Sequence, residues 1–76
     1  MTYEEYFNLV TKELKYYLEP YNLSDDEIVA YMNKNEFVIK NHYNRDIKAF
    51  NEGKITARQL SVVSVGAVAH TLDLMY

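Results

Sequence analysis

Cysteine is missing from all 76 residues, proline occurs once and glycine twice, and no residue between Arg58 and Asp73 carries a formal charge. Each scarcity excludes something. Without cysteine there is no disulfide staple, no thiolate nucleophile and no Cys-based zinc site, which for so small a domain points to a reducing, cytosolic compartment. Gly53 and Gly66 stand too far apart to build a phosphate-binding glycine loop. The acidic start, Met1-Thr-Tyr-Glu-Glu5, lacks the basic-then-apolar order of a signal peptide. The uncharged run of fourteen residues, 59–72, is too short to span a bilayer and contains Ser61, Ser64, Gly66 and His70.

What is present describes a folded chain. Hydrophobic residues make up 49% and charged residues 25%, enough apolar surface to offset the entropy of ordering one small domain over residues 1–76. The net charge of −3 conceals an asymmetry. Residues 1–33 hold seven acids and two lysines, whereas residues 34–58 hold six bases and three acids. Both poles are mild, and a dedicated nucleic-acid binder normally carries a stronger basic excess.

Three helix starts are legible. Thr2-Tyr-Glu-Glu5, Ser24-Asp-Asp-Glu27 and Thr56-Ala-Arg-Gln59 all fit the capping box, in which a hydroxyl accepts from the N3 amide and a Glu or Gln reaches back to the cap amide. The first helix is expected over 3–18, with Tyr3, Tyr6/Phe7, Val10, Leu14 and Tyr17/Leu18 as its apolar stripe. Pro20 ends it, and Leu23 can staple onto Ile28 across the next cap. Residues 25–52 would form a rod of about 42 Å if continuous. A break at Asn33-Lys-Asn-Glu36, with Asn33 as the cap, divides them into helices over 25–33 and 35–51, closed by Gly53. The last helix is expected over 57–75. The class is all-α, a bundle of three to four helices.

That last helix is apolar or small on almost every side, so it is expected to be the most buried element, covered all round. Gly66, Ala67, Ala69 and Ser64 would admit a close backbone. Seventy-six residues have little with which to wrap such a helix, and the surplus side, Val65, Ala69, Leu72 and Met75, is the first candidate for contact with a second copy or another protein. Five tyrosines in the first 21 residues exceed what a core edge needs. Tyrosine suits interface hot spots, which adds Tyr6, Tyr17 and Tyr21 to the candidates.

Residues that carry chemistry are sparse. His42 with Asp46, and His70 with Asp73, share helix faces, but no metal-ligand spacing links the pairs, and no metal or other cofactor is expected. Ser61, Ser64, His70 and Asp73 have the residue types of a nucleophilic set, yet all lie on one helix without an oxyanion hole, so no enzyme is expected. Lys34, Asn41, Arg45 and Lys48 can form a polar, mildly basic face, the alternative being a nucleic-acid-binding regulatory module. Residues 63–72 resemble the recognition helix of helix-turn-helix proteins. Upstream, Val62, Arg58 and Ser61 stand where that motif has its turn glycine, a small residue and a buried leucine. The supposed reading helix also holds no Arg, Lys, Asn or Gln.

The expectation is therefore a small acidic cytosolic bundle that works through protein contact, self-associating through its last helix, without membrane or small-molecule partner. Its Asn/Lys/Tyr-heavy composition suits an accessory protein of a low-GC bacterium, phage or mobile element.

Overall fold

Helices run through almost the whole chain in a computed structural model, which describes the backbone of residues 1–75 and the side chains of residues 1–71. They are α1 (Tyr3–Tyr17), α2 (Asp25–Lys34), α3 (Glu36–Asn51) and α4 (Ala57–Met75), with a 3₁₀ turn over Glu19–Tyr21 between the first two. All three capping boxes form. Thr2 and Ser24 accept from the Glu5 and Glu27 amides while those carboxylates accept from the cap amides. Thr56 Oγ1 accepts from the Gln59 amide at 3.1 Å, and Gln59 Oε1 accepts from the Thr56 amide at 2.8 Å. Each cap contributes on the order of 1 kcal/mol.

The division of the middle segment is real but falls later than expected. Asn35, not Asn33, is the hinge, and it makes no side-chain cap. Its Nδ2 instead donates back to the Tyr31 carbonyl at 2.9 Å, satisfying an end group of α2. Backbone bonds run into and out of Asn35, its amide donating to Tyr31 and Met32 and its carbonyl accepting from Ile39, so α3 follows α2 directly. At the far end Gly53, at φ 76°, closes α3. The Lys54 amide donates to the Ala49 carbonyl at 2.9 Å and the Gly53 amide to Phe50 at 3.0 Å, the bond pair of a Schellman cap.

A single core joins all four helices. Tyr6, Val10 and Leu14 from α1 meet Ile28 and Met32 of α2, Ile39 of α3 and Leu60 and Val68 of α4, with Leu18 sealing one end. Of all the pairs, α4 packs most extensively, against α1 and α3.

Those two neighbours cover only one side of α4, which is therefore not buried all round. Leu60, Ser61, Ser64, Val65 and Val68 face the core, while Val62, Val63, Gly66 and His70 face solvent. Val65 and Ala69, expected on the open side, are 9% and 2% exposed and belong to the core. Tyr6, another contact candidate, is fully buried. The apolar run of α4 carries no phase from which its inward side can be read, which is why the faces were exchanged. No backbone of this chain comes close to Gly66, where a Cβ would meet nothing within 4 Å. The Leu72 and Met75 side chains lie outside the described residues.

Candidate interaction surface

Inside the bundle the polar side chains of three helices converge. Tyr6 Oη lies 3.2 Å from the Leu60 carbonyl and also bonds Ser64 Oγ, which in turn lies 3.1 Å from His42 Nδ1. Only one set of proton positions makes all three contacts hydrogen bonds. A carbonyl only accepts, so Tyr6 donates to Leu60; Ser64 then donates to Tyr6, and His42 Nδ1–H donates to Ser64. Burial pushes the Tyr6 phenol above its ordinary value. Burial, and then the neighbouring Arg45, pulls His42 below its own ordinary value, so the imidazole is neutral near pH 7.

This junction pairs a serine with a histidine, which sequence spacing did not reveal because the two lie on different helices. Ser64 is fully buried. Asp46, which would orient the base, is engaged by Arg45 through bonds of 3.0 and 2.8 Å. Among the described residues no three His, Cys, Asp or Glu side chains converge as a metal site would require. The Asp73 carboxylate, the expected companion of His70, lies outside them.

Lys34, at the end of α2, and Asn41, Arg45 and Lys48 on α3 are all exposed. Arg45 spends its charge on Asp46, and Lys40 leans over the Tyr3 ring, its Nζ 5.9 Å from the centroid.

The tyrosines divide into two groups. Tyr3, Tyr6 and Tyr43 form an aromatic cluster at the core, with the Tyr43 ring 5.5 Å from Tyr3 and 5.3 Å from Tyr6, and Tyr43 Oη donating to the Met1 carbonyl at 2.8 Å. Tyr16 and Tyr17 stand outside, 72% and 57% exposed, and Tyr21 is exposed on the 3₁₀ turn. Tyr16 and Tyr17 flank a shallow groove of about 310 Å³ between α1 and α4, whose other wall carries Arg58 and the 55% exposed Val62. Val65 reaches the floor of this groove from the core.

Two further shallow surfaces join it at Tyr16. One runs past Lys12 and Glu13 to Arg58, the other along Lys12, Lys15 and Glu19. The 79% exposed Phe37 is a larger isolated hydrophobe, but single exposed apolar side chains are ordinary.

Of the expected contact residues, this surface includes Tyr17 and the edge of Val65. Tyr16, Val62 and Arg58 were missed. Tyr16 falls off the core stripe Tyr6–Val10–Leu14, which signalled its exposure. Nothing local marked Val62, since its exposure depends on which helices lie beside α4. No helix among the described residues is long and apolar enough to cross a membrane. The chain matches no protein-family model, no curated protein and no solved structure.

Proposed function

We propose that this protein is a non-catalytic interaction module which docks a protein on the groove between α1 and α4. The observation that carries this reading is the exposure of Tyr16, Tyr17 and Val62 on adjoining helices, around a concave floor that reaches the core. Aromatic side chains flanking a pocket, with an arginine beside them, are the composition of interface hot spots. The chain retains these rings in water although its core is thin and would gain from burying them. A cysteine-free core of this size suits the cytosol, and the small acidic chain suits a regulatory or accessory role for which binding is sufficient.

The test is a photo-crosslinking residue placed at position 16 of the full chain in its host cell, with the same residue at position 37 as control. Both positions are exposed, so neither replacement disturbs the core. Adducts of discrete mass from position 16, weak or missing from position 37, are expected. Adducts from position 37 alone, or from neither, overturn the assignment of the groove.

A further inference from the structure

The surface that adjoins the groove at Tyr16 carries charges that identify its occupant. Lys12, Tyr16 and Glu19 fall at i, i+4 and i+7, one face of α1 continued into the 3₁₀ turn, and line one continuous shallow surface. Lys15, beside them, is held by Asp25 at 3.3 Å. Lys12 and Glu19 form no ion pair with any described residue and stand about 10 Å apart along the helix, on either side of the exposed ring.

Resting on the interaction reading above, we infer that the partner is a second copy of this chain. The two α1 helices pair antiparallel about a two-fold axis beside Tyr16. That axis carries each Lys12 onto the Glu19 of the other copy, forming two ion pairs, and brings the two Tyr16 rings together near the centre. A parallel pairing would set Lys12 against Lys12 and Glu19 against Glu19, so the charges select the antiparallel one. Such an interface is isologous and closed, which limits assembly to a dimer. With Lys15 engaged by Asp25, this surface keeps Lys12 and Glu19, one charge of each sign on either side of the aromatic centre, and is complementary to itself. Glu13 and Arg58, of opposite sign on the two walls of the adjoining groove, preserve that balance.

Sedimentation equilibrium of the full chain, from about 10 µM to about 1 mM, tests the inference. The wild type is expected to dimerise. Lys12→Glu and Glu19→Lys each place two like-charge pairs in the interface and are expected to weaken dimerisation at least about tenfold. The double variant Lys12→Glu/Glu19→Lys restores both pairs with their signs reversed and is expected to return to within about threefold of wild type. Both side chains are exposed, and unfolding midpoints measured on dilute protein confirm that the variants fold.

A wild type that stays monomeric at the top of the range overturns the second-copy assignment, as does a dimer indifferent to the charge reversals. The two failures separate through the crosslinking experiment. A monomer whose position 16 still forms adducts refutes self-pairing and leaves the interaction reading standing, whereas a monomer without adducts refutes both.

Discussion

Two tyrosine hydroxyls a short distance apart in this core have opposite consequences. Tyr6 Oη donates to the Leu60 carbonyl and accepts from Ser64, at a junction that fixes the His42 tautomer. Tyr3 Oη is buried with no hydrogen-bond partner among the described residues. Net stabilisation by a satisfied buried hydrogen bond is about 1 kcal/mol, whereas removing a buried hydroxyl that has no partner costs nothing. Tyr6→Phe is therefore expected to destabilise by about 1 kcal/mol, because Ser64 loses its acceptor while the ring still fills its site. Tyr3→Phe is expected to be neutral or slightly stabilising, since its ring contacts with Phe7 and Tyr43 survive. Urea unfolding of both variants checks the contrast, and equal losses would refute this account of the polar junction. None of this was legible in the sequence, where Ser64 stood as a small residue for close packing and His42 as a helix-face neighbour of Asp46. Both expectations described the helix alone, and the cross-helix bonds supplied the difference.

The two glycines make the corresponding contrast at the scale of the element. Gly53 closes α3 at φ 76°, with open space where a Cβ would stand, so its substitution is resisted by backbone conformation alone. Gly66 lies within α4 at ordinary helical geometry, also beside open space. Gly53→Ala is expected to lower stability by about 1 kcal/mol through left-handed strain. Gly66→Ala is expected to raise it by about 1 kcal/mol through helix propensity. Opposite displacements of the urea midpoint support the assignment, and displacements of the same sign sink it. Helix ends were the best-read feature of this sequence because caps are local. Thr2/Glu5, Ser24/Glu27, Thr56/Gln59 and Gly53 act within a few residues of themselves. The Asn33–Glu36 box was misplaced for the complementary reason. Asn35, bonded back to Tyr31, closes the preceding helix better than Asn33 opens the next. The candidate groove was less legible than the helices that form it, since Val62 and Val65 differ in burial only through their distance from α1 and α3.

For the molecule as a whole, these local environments set how stability depends on pH. His42 lies below its ordinary 6.5 because burial and Arg45 oppose its charge, with Asp46 offsetting part of the effect. The unfolded imidazole therefore takes up a proton first. Below pH 6.5 the unfolded chain binds more protons than the folded one, and stability falls as the solution is acidified. The hydrogen bond to Ser64 does not add to that loss, since Nδ1–H donates in both protonation states. Glu5, lowered by the backbone amide and hydroxyl of Thr2, and Asp46, lowered by its bond to Arg45, lie below their ordinary 4.5 and 3.8. Their contributions disappear at lower pH still, and the exposed Glu5 contributes little. At the alkaline end, burial raises Tyr3 and Tyr6 above 10.0, so the unfolded phenols ionise first and stability falls again as pH rises past that value. The expected profile is a plateau between pH 6.5 and pH 10.0 with a shoulder on each side. Urea midpoints measured at intervals across this range will locate the shoulders. His42→Asn, whose amide nitrogen takes the place of Nδ1, is expected to abolish the slope that begins as pH falls below 6.5 and to leave the lower acid step unchanged. A variant that keeps the wild-type slope in that window would show that the proton is taken up elsewhere, and the buried junction of Tyr6, Ser64 and His42 would lose its link to the acid stability of the bundle.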